Sequence, residues 1–326
     1  MKLIVQPEDG LAPLLKAVKQ AKKRIDVVVF RFDVSELEEA LEAAVKRGVE
    51  VRALVAHTNR RGEEELRALE DRLLSYGVTV DRTANELVRY HGKLLVIDNR
   101  RAFILGFNYT YADIRESRSL GIIVSRKRVV RQIQDLIAAD SSRQEFAGAL
   151  PNLVISPENA RVRLSDFIRK ARRELLIYDP NISDDAVIRL LKARAAAGVA
   201  IRILGKLEKK WRGEDFLVED TSRRLHVRAI VRDRNRAFVG SQSLRKLELD
   251  GRREVGIIVR DPKVVARIAA TFEKDWKQTP SAKFKGSKDK GKAKRKGKTK
   301  TKAAGAKTKA AKTTRTATRK VRKTPP

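Results

Sequence analysis

The chain has no cysteine among its 326 residues, so it can build neither a disulfide framework nor a thiolate metal site. Aromatic residues make up only 5%, a thin supply for a surface that would recognise single strands by stacking bases. No apolar run approaches the ~18 residues that a membrane-crossing helix needs. The N-terminus, MKLIVQPEDG, lacks the apolar stretch and small-residue cleavage site of a secretory signal. Acids are scarce as well, 41 against 74 Lys and Arg, for a net charge of +33. Together these features lead us to expect a cytoplasmic protein associated through its charge with nucleic acid or a membrane surface.

The positive charge is concentrated at one end. Ser281–Pro326 holds nineteen Lys and Arg against one acid, Asp289. From residue 277 onward the chain is mostly Lys, Ala, Thr, Gly and Arg. It lacks the apolar side chains that offset the entropy of ordering, so disorder is expected. The tail resembles those of linker histones, which implies an arm for anionic polymers; an anionic membrane surface would attract it too.

Before the tail, strand and helix patterns alternate. The β-branched run IDVVVFRF (Ile25–Phe32) predicts a buried strand. Ser35 and Glu38 have the spacing of a capping box, predicting a helix from there to Val45 that ends at Gly48. Val49–Val55 is the next strand, Glu63–Tyr76 a charged amphipathic helix, and Val78–Val80 a further strand. Such alternation implies an α/β protein. The pattern then repeats: QPEDG at 6–10 returns as SPENA at 156–160, and Gly48 as Gly198, both 150 residues on. Later the offset is 135, where AFIL (Ala102–Leu105) returns as AFVG and the GIIV at Gly121 as that at Gly256. A period this long is a duplicated folding unit rather than a solenoid, whose repeats run ~20–50 residues. The expected boundaries are 1–145 for the first half, 152–276 for the second and 277–326 for the tail.

Within this repeat lies a paired motif. His91–Asn108 reads HGKLLVIDNRRAFILGFN, with LLVI of strand type. Residues two apart on a strand share a face, so His91 and Lys93 project together, an imidazole beside an ammonium that suits a phosphate group. At offset 135 His91 falls on His226, Lys93 on Arg228 and Asp98 on Asp233, in HVRAIVRDRNRAFVGSQS. The chain has three histidines; the third, His57, reads as an ordinary polar residue at a strand end.

The spacing H-x-K-x4-D followed by LGFN resembles the signature of the phospholipase D superfamily, and the first copy looks like its cardiolipin synthase branch. The resemblance covers residues 1–276. It implies two α/β halves, each a central mixed β-sheet flanked by helices and related by a pseudo-twofold axis. It also implies a metal-independent phosphodiesterase or phosphatidyltransferase with no cofactor, working as a monomer through a phosphohistidine intermediate. One histidine would attack phosphorus, by the resemblance His91, and the other would serve as acid and then base. Lys93 and Arg228 would hold the non-bridging oxygens, with Asn108 and Ser241 adding donors and Asp98 and Asp233 completing the phosphate-binding or orienting set. Glu254 is expected to orient His226. Its first-half equivalent is Ser119, so Glu116 is the acid expected to serve His91 if the loop bends. Arg228, Ser243, Leu105 and Ser119 depart from the pattern. The expected substrate is a phospholipid, with a nucleic-acid phosphodiester as the alternative and a noncatalytic polyanion binder as the third reading.

Overall fold

The computed structural model describes residues 1–57, 63–84, 86–148, 150–208, 216–221 and 223–279. The basic tail from residue 280 lies outside them. The described chain up to residue 279 packs as one unit built from two similar halves.

Seven strands form the first sheet. In chain order they are β1 (Lys2–Gln6), β2 (Arg24–Val29), β3 (Glu50–Val55), β4 (Thr79–Arg82), β6 (Leu94–Ile97), β7 (Arg101–Leu105) and β8 (Ser119–Val124). Their spatial order is β1-β8-β7-β6-β2-β3-β4, with β2, β3 and β4 parallel and the other pairings antiparallel. The second sheet repeats this plan with β9 (Leu153–Ser156), β10 (Glu174–Ile182), β11 (Ala200–Leu207), β12 (Leu217–Glu219), β13 (Arg228–Arg232), β14 (Arg236–Gly240) and β15 (Arg252–Val259). One strand changes sides: β5 (Arg89–Tyr90), just before His91, pairs with β15 of the second half.

Periodicity explains how these strands bury both faces. Along β6, Leu94 and Val96 enter a central core, whereas Leu95 and Ile97 enter an outer one. The outer core of the first half is closed by α1 (Ala12–Lys19), α2 (Ser35–Lys46) and α3 (Glu63–Ser75). That of the second half is closed by α5 (Ala160–Arg169), α6 (Asp185–Ala196) and α7 (Lys246–Asp250). Residues of both sheets, with α4 (Lys127–Ser141) and α8 (Pro262–Trp276), share the central core, so neither half buries its inner face alone. One local expectation fails. Ser35 does not cap α2: Val34 holds the N-cap position, Ser35 Oγ lies 3.0 Å from the Tyr111 hydroxyl, and Glu38 instead accepts from Arg72 and Tyr76.

Buried charge ties the halves together, twice over. Arg118 donates to Gln6 O and Glu8 of its own half and to Asp275 on α8 of the other. Arg253, its equivalent at offset 135, donates to Ser156 O and Glu158 and across to Asp140 on α4. Charges this deep hold their places only when fully partnered, and both arginines are. At the junction Gly106 lies so close to the second half that a Cβ would meet Gly240 O at 2.9 Å, which explains glycine in LGFN.

Candidate active site

The two histidines enter the junction on identical supports. His91 N donates to Arg253 O (2.7 Å) and His226 N to Arg118 O (3.1 Å), so each backbone is fastened to the opposite half. The basic residue two positions on then folds back. Lys93 Nζ donates to His91 O (2.7 Å), and Arg228 Nη1 donates to His226 O (2.9 Å). Lys93 is 1% exposed. Its ammonium lies 5.1 Å from the Phe30 ring centroid, and the same ring packs edge-on against His91 at 4.4 Å. The side chains of His91 and His226 are 11% and 14% exposed.

The orienting carboxylates differ from expectation. Glu254 does not serve His226: its Oε2 lies 2.9 Å from Nδ1 of His91, a bond across the junction. The reason is the crossed β5–β15 pairing, which sets Arg253 and Glu254 beside the entry to His91 rather than beside their own motif. Glu116 is exposed and serves neither ring. Instead Asp113 faces His226, with Oδ2 at 3.2 Å from Nδ1 but off the ideal hydrogen-bond line. Asp113 sits on a π-helical turn over Ala112–Glu116 that directs it inward at 1% exposed. The sequence reading missed it. A usable signal was the absence of an acid at Ser119, which requires another nearby carboxylate to supply the partner.

The remaining motif residues fall into supporting places. Asn108 Nδ2 (2.7 Å) and its backbone N (2.8 Å) both donate to Asp113 Oδ2, so this amide anchors a carboxylate instead of reaching outward. Ser241 Oγ accepts from Val255 N (3.1 Å), the residue next to Glu254. Asp98 and Asp233, expected at the phosphate, are at the far ends of β6 and β13 from the histidines. Asp98 accepts from the N–H groups of Lys22, Lys23 and Arg24, and Asp233 from those of Arg172, Arg173 and Glu174. Both have positive φ, 53° and 50°, a tight-turn conformation that Asp tolerates by bonding nearby backbone. Their place in the motif is structural. His57 is exposed, with its N–H on Thr83 Oγ1 at 3.0 Å.

Electrostatics separate the two carboxylates further. Burial pushes Glu254 up to about 7, against the pull of Lys93, Ser241 and Arg228. Burial acts the same way on Asp113, but His226, Arg224 and the Asn108 N–H outweigh it and hold that carboxyl below its ordinary value. Both imidazoles are depressed well below their usual value, first by burial and then by cations. For His91 these are chiefly Lys93 and Arg228, and for His226 Arg228 and Lys93, with Asp113 opposing. Asp113 favours a charged His226 while the cations favour a neutral one. Burial and the cations prevail. Both rings therefore sense the same two cations, one from each half.

A duplicated α/β unit that joins two His-x-Lys/Arg elements at its pseudo-twofold junction has the architecture of the phospholipase D superfamily. The chain belongs to that superfamily: the family described as "Cardiolipin synthase, PLD-like domain" matches residues 14–140 and 164–276. Among curated protein sequences none matches. Among solved structures, polyphosphate kinase from Porphyromonas gingivalis is similar, with a TM-score of 0.69 at 19% identity over 83% of this chain. The chain spans 49% of that kinase. Phosphatidylserine synthase from Haemophilus influenzae Rd KW20 is similar with a TM-score of 0.64 at 12% identity, over 85% of each chain. At these identities the likeness is one of fold. Among the described residues, no helix is long and apolar enough to cross a membrane.

Proposed function

We propose that the cleft is the active site of a phosphodiesterase or phosphatidyltransferase acting through a phosphohistidine. The observation that carries this is the paired imidazoles, each with Nδ1 turned to a carboxylate of the opposite half and each beside the Lys93–Arg228 cation pair. With Nδ1 facing a carboxylate, Nε2 is the nitrogen left for the substrate.

In this reading His91 is the nucleophile. Burial and cations keep it neutral, and ionised Glu254 accepts its Nδ1–H, so the Nε2 lone pair attacks phosphorus. The P–N bond forms as the P–O bond to the leaving group breaks. His226 supplies the proton to the departing alkoxide. Its acidity comes with the substrate: the phosphodiester anion offsets Lys93 and Arg228, and the ionised Asp113 then stabilises the imidazolium. In the second step neutral His226 takes a proton from water or an acceptor alcohol, which attacks phosphorus and releases His91. Lys93 and Arg228 stabilise charge that grows on the non-bridging oxygens.

The family match favours a phospholipid phosphodiester. The surplus of cations favours nucleic acid as the second reading. A panel in EDTA distinguishes them: cardiolipin, phosphatidylglycerol, phosphatidylcholine, single- and double-stranded DNA, RNA and bis-p-nitrophenyl phosphate. We expect turnover that survives chelation, carries phosphate on His91 in digests quenched and kept at alkaline pH, and disappears in His91→Asn. Turnover that depends on added metal, or no cleavage of any member, overturns the reading.

A further inference from the structure

The strands that carry the cleft carry something else at their opposite ends. β13 runs from Arg228, beside the histidines, to Arg232. β14 runs from Arg236 to Gly240, next to the junction. Arg232 and Arg236, with Arg101 at the start of β7, open into a groove of about 1780 Å³. Five-residue strands set this groove roughly 13 Å or more from the cleft. Material from both halves lines it, including β1, α1, α5 and the loops that follow β8 and β15.

Its charge is one-sided. Eleven Lys and Arg line the groove against three acids, Asp9, Asp166 and Asp261. All three acids are engaged: Asp9 with Arg267, Asp166 with Lys170, and Asp261 with the N-terminus and the start of α8. The cations are mostly not. Arg101, Arg126, Arg128, Arg163, Arg260 and Lys263 form no ion pair with any described residue, and neither do Lys2 and Lys16 from the N-terminal strand and helix. Arg232 is depressed by burial, and the like charges of Arg236 and Arg260 add to this. Gathering so many unpaired cations costs repulsion that an anionic partner would remove.

The shape and lining narrow the partner. The groove is concave, as suits a linear polyanion better than a flat bilayer. Its two aromatic residues, Phe103 and Phe167, are 1% and 3% exposed, so it has no platform on which single-stranded bases could stack. What it offers is fixed positive charge without base readout, the chemistry of sequence-indifferent contact with a duplex backbone. We propose that this groove is a second site, distinct from the histidine cleft, that binds the phosphate backbone of double-stranded nucleic acid. The assignment holds whichever phosphodiester the histidines cleave.

The full chain is tested, with its basic tail in place, so the readout must resolve the groove from the tail. Lysine acetylation followed by mass spectrometry does this. A 30-base-pair duplex should protect Lys2, Lys16 and Lys263 at least threefold and leave Lys46 on α2 unprotected. In parallel, the triple variant Arg126→Gln, Arg128→Gln, Arg260→Gln removes three exposed cations far from the cleft. It should bind the duplex at least tenfold more weakly near 0.1 M salt and lower the salt slope by about 3, at ~0.9 per phosphate contact. Hydrolysis of bis-p-nitrophenyl phosphate should be unchanged, which also reports that the variant is folded. Protection confined to tail lysines, an unchanged slope, or protection by anionic vesicles or inorganic polyphosphate but not by duplex would each overturn the proposal.

Discussion

In the first half Lys93 and Asn108 follow the histidine, and in the second Arg228 and Ser243 stand at the same places. The first half contributes Asp113 to the other's histidine, and the second contributes Glu254. These carboxylates are not equivalents: at offset 135 Asp113 corresponds to Glu248, and Glu254 to Ser119. Glu248 is instead bound to Arg252 (2.9 Å), and the Ser119 hydroxyl is buried without a hydrogen-bond partner. The duplication thus conserves the backbone frame and the crossing of support between halves. The acid that completes each imidazole comes from a different part of the repeat. Difference between the halves is what the chemistry in this reading requires, because one histidine must attack while the other donates a proton.

Replacing the histidines one at a time breaks the comparison most severely. His91→Asn and His226→Asn should each lower turnover of a phosphodiester with a poor leaving group by about 10⁴-fold or more. A p-nitrophenolate leaving group needs no acid. With it, His226→Asn should still form the phosphohistidine and stall there, while His91→Asn should form none. Phosphate trapped on His226 in the His91 variant would reverse the two roles.

The next largest effects come from the carboxylates. Glu254→Gln keeps a hydrogen-bonding group beside His91 but no charge, and turnover should fall about 100-fold; Asp113→Asn should cost about 10- to 100-fold. The two should differ more clearly in pH dependence. Glu254 is raised from 4.5 to about 7, so the folded protein holds this proton more tightly than the unfolded chain. Its contribution to stability is complete below about pH 4.5 and is lost as pH rises through about 7. Between pH 5 and 8 that loss is about 2 to 3 kcal/mol, which Glu254→Gln should abolish in urea unfolding curves. Wild-type activity should rise over the same interval, since only ionised Glu254 accepts the His91 proton. The Asp113 carboxyl is held low, so its contribution is lost only in acid, and Asp113→Asn should leave the neutral-pH profile unchanged.

Much of this arrangement was legible in the sequence because it repeats at fixed offsets. The duplicated α/β frame, the pairing of His91 with His226 and the two cations follow from local strand patterns and a constant register. Which carboxylate reaches which ring did not. It depends on the two-residue strand Arg89–Tyr90 pairing with β15, a contact between residues more than 160 positions apart with no local periodicity. Asp113 was hidden for a related reason, because a π turn of five residues decides that it points inward while Glu116 points out. Asp98 and Asp233 misled in the opposite direction. Their spacing is that of a site residue, but a short side chain at positive φ that caps three N–H groups is a turn device.

The buried arginine clusters offer a comparison of stability. Asp275 accepts from both Arg118 and the Tyr178 hydroxyl (2.6 Å). The position equivalent to Tyr178 is Val28, so Asp140 lacks that bond. Burial pushes Asp140 up to about 6 despite Arg253. This raised carboxyl contributes stability that is complete below about pH 3.8 and is lost as pH rises through 6. Asp140→Asn should therefore remove about 1 kcal/mol of the change in unfolding free energy between pH 5 and 7.5. A pH profile identical to wild type would mean that Asp140 stays ionised throughout.

The smallest expected effect tests whether the second motif is a damaged copy of the first or an adjusted one. Arg228 Nε donates to Ser243 Oγ at 3.2 Å, so the two departures from the first motif touch each other. A guanidinium is longer than an ammonium and forks, and a serine is shorter than an asparagine; together they fill the place with the charge retained. Arg228→Lys alone should lower turnover about fivefold, because the shorter cation leaves Ser243 without its donor. Ser243→Asn alone should crowd the guanidinium and cost about as much. Combining them installs the residue types of the first motif, lysine and asparagine, together, and the double variant should recover to within about twofold of wild type. The coupling in such a cycle should be about 1 kcal/mol or more, as expected of side chains in contact. Additive losses would instead mark Ser243 as a passive substitution and leave the second cation to act alone.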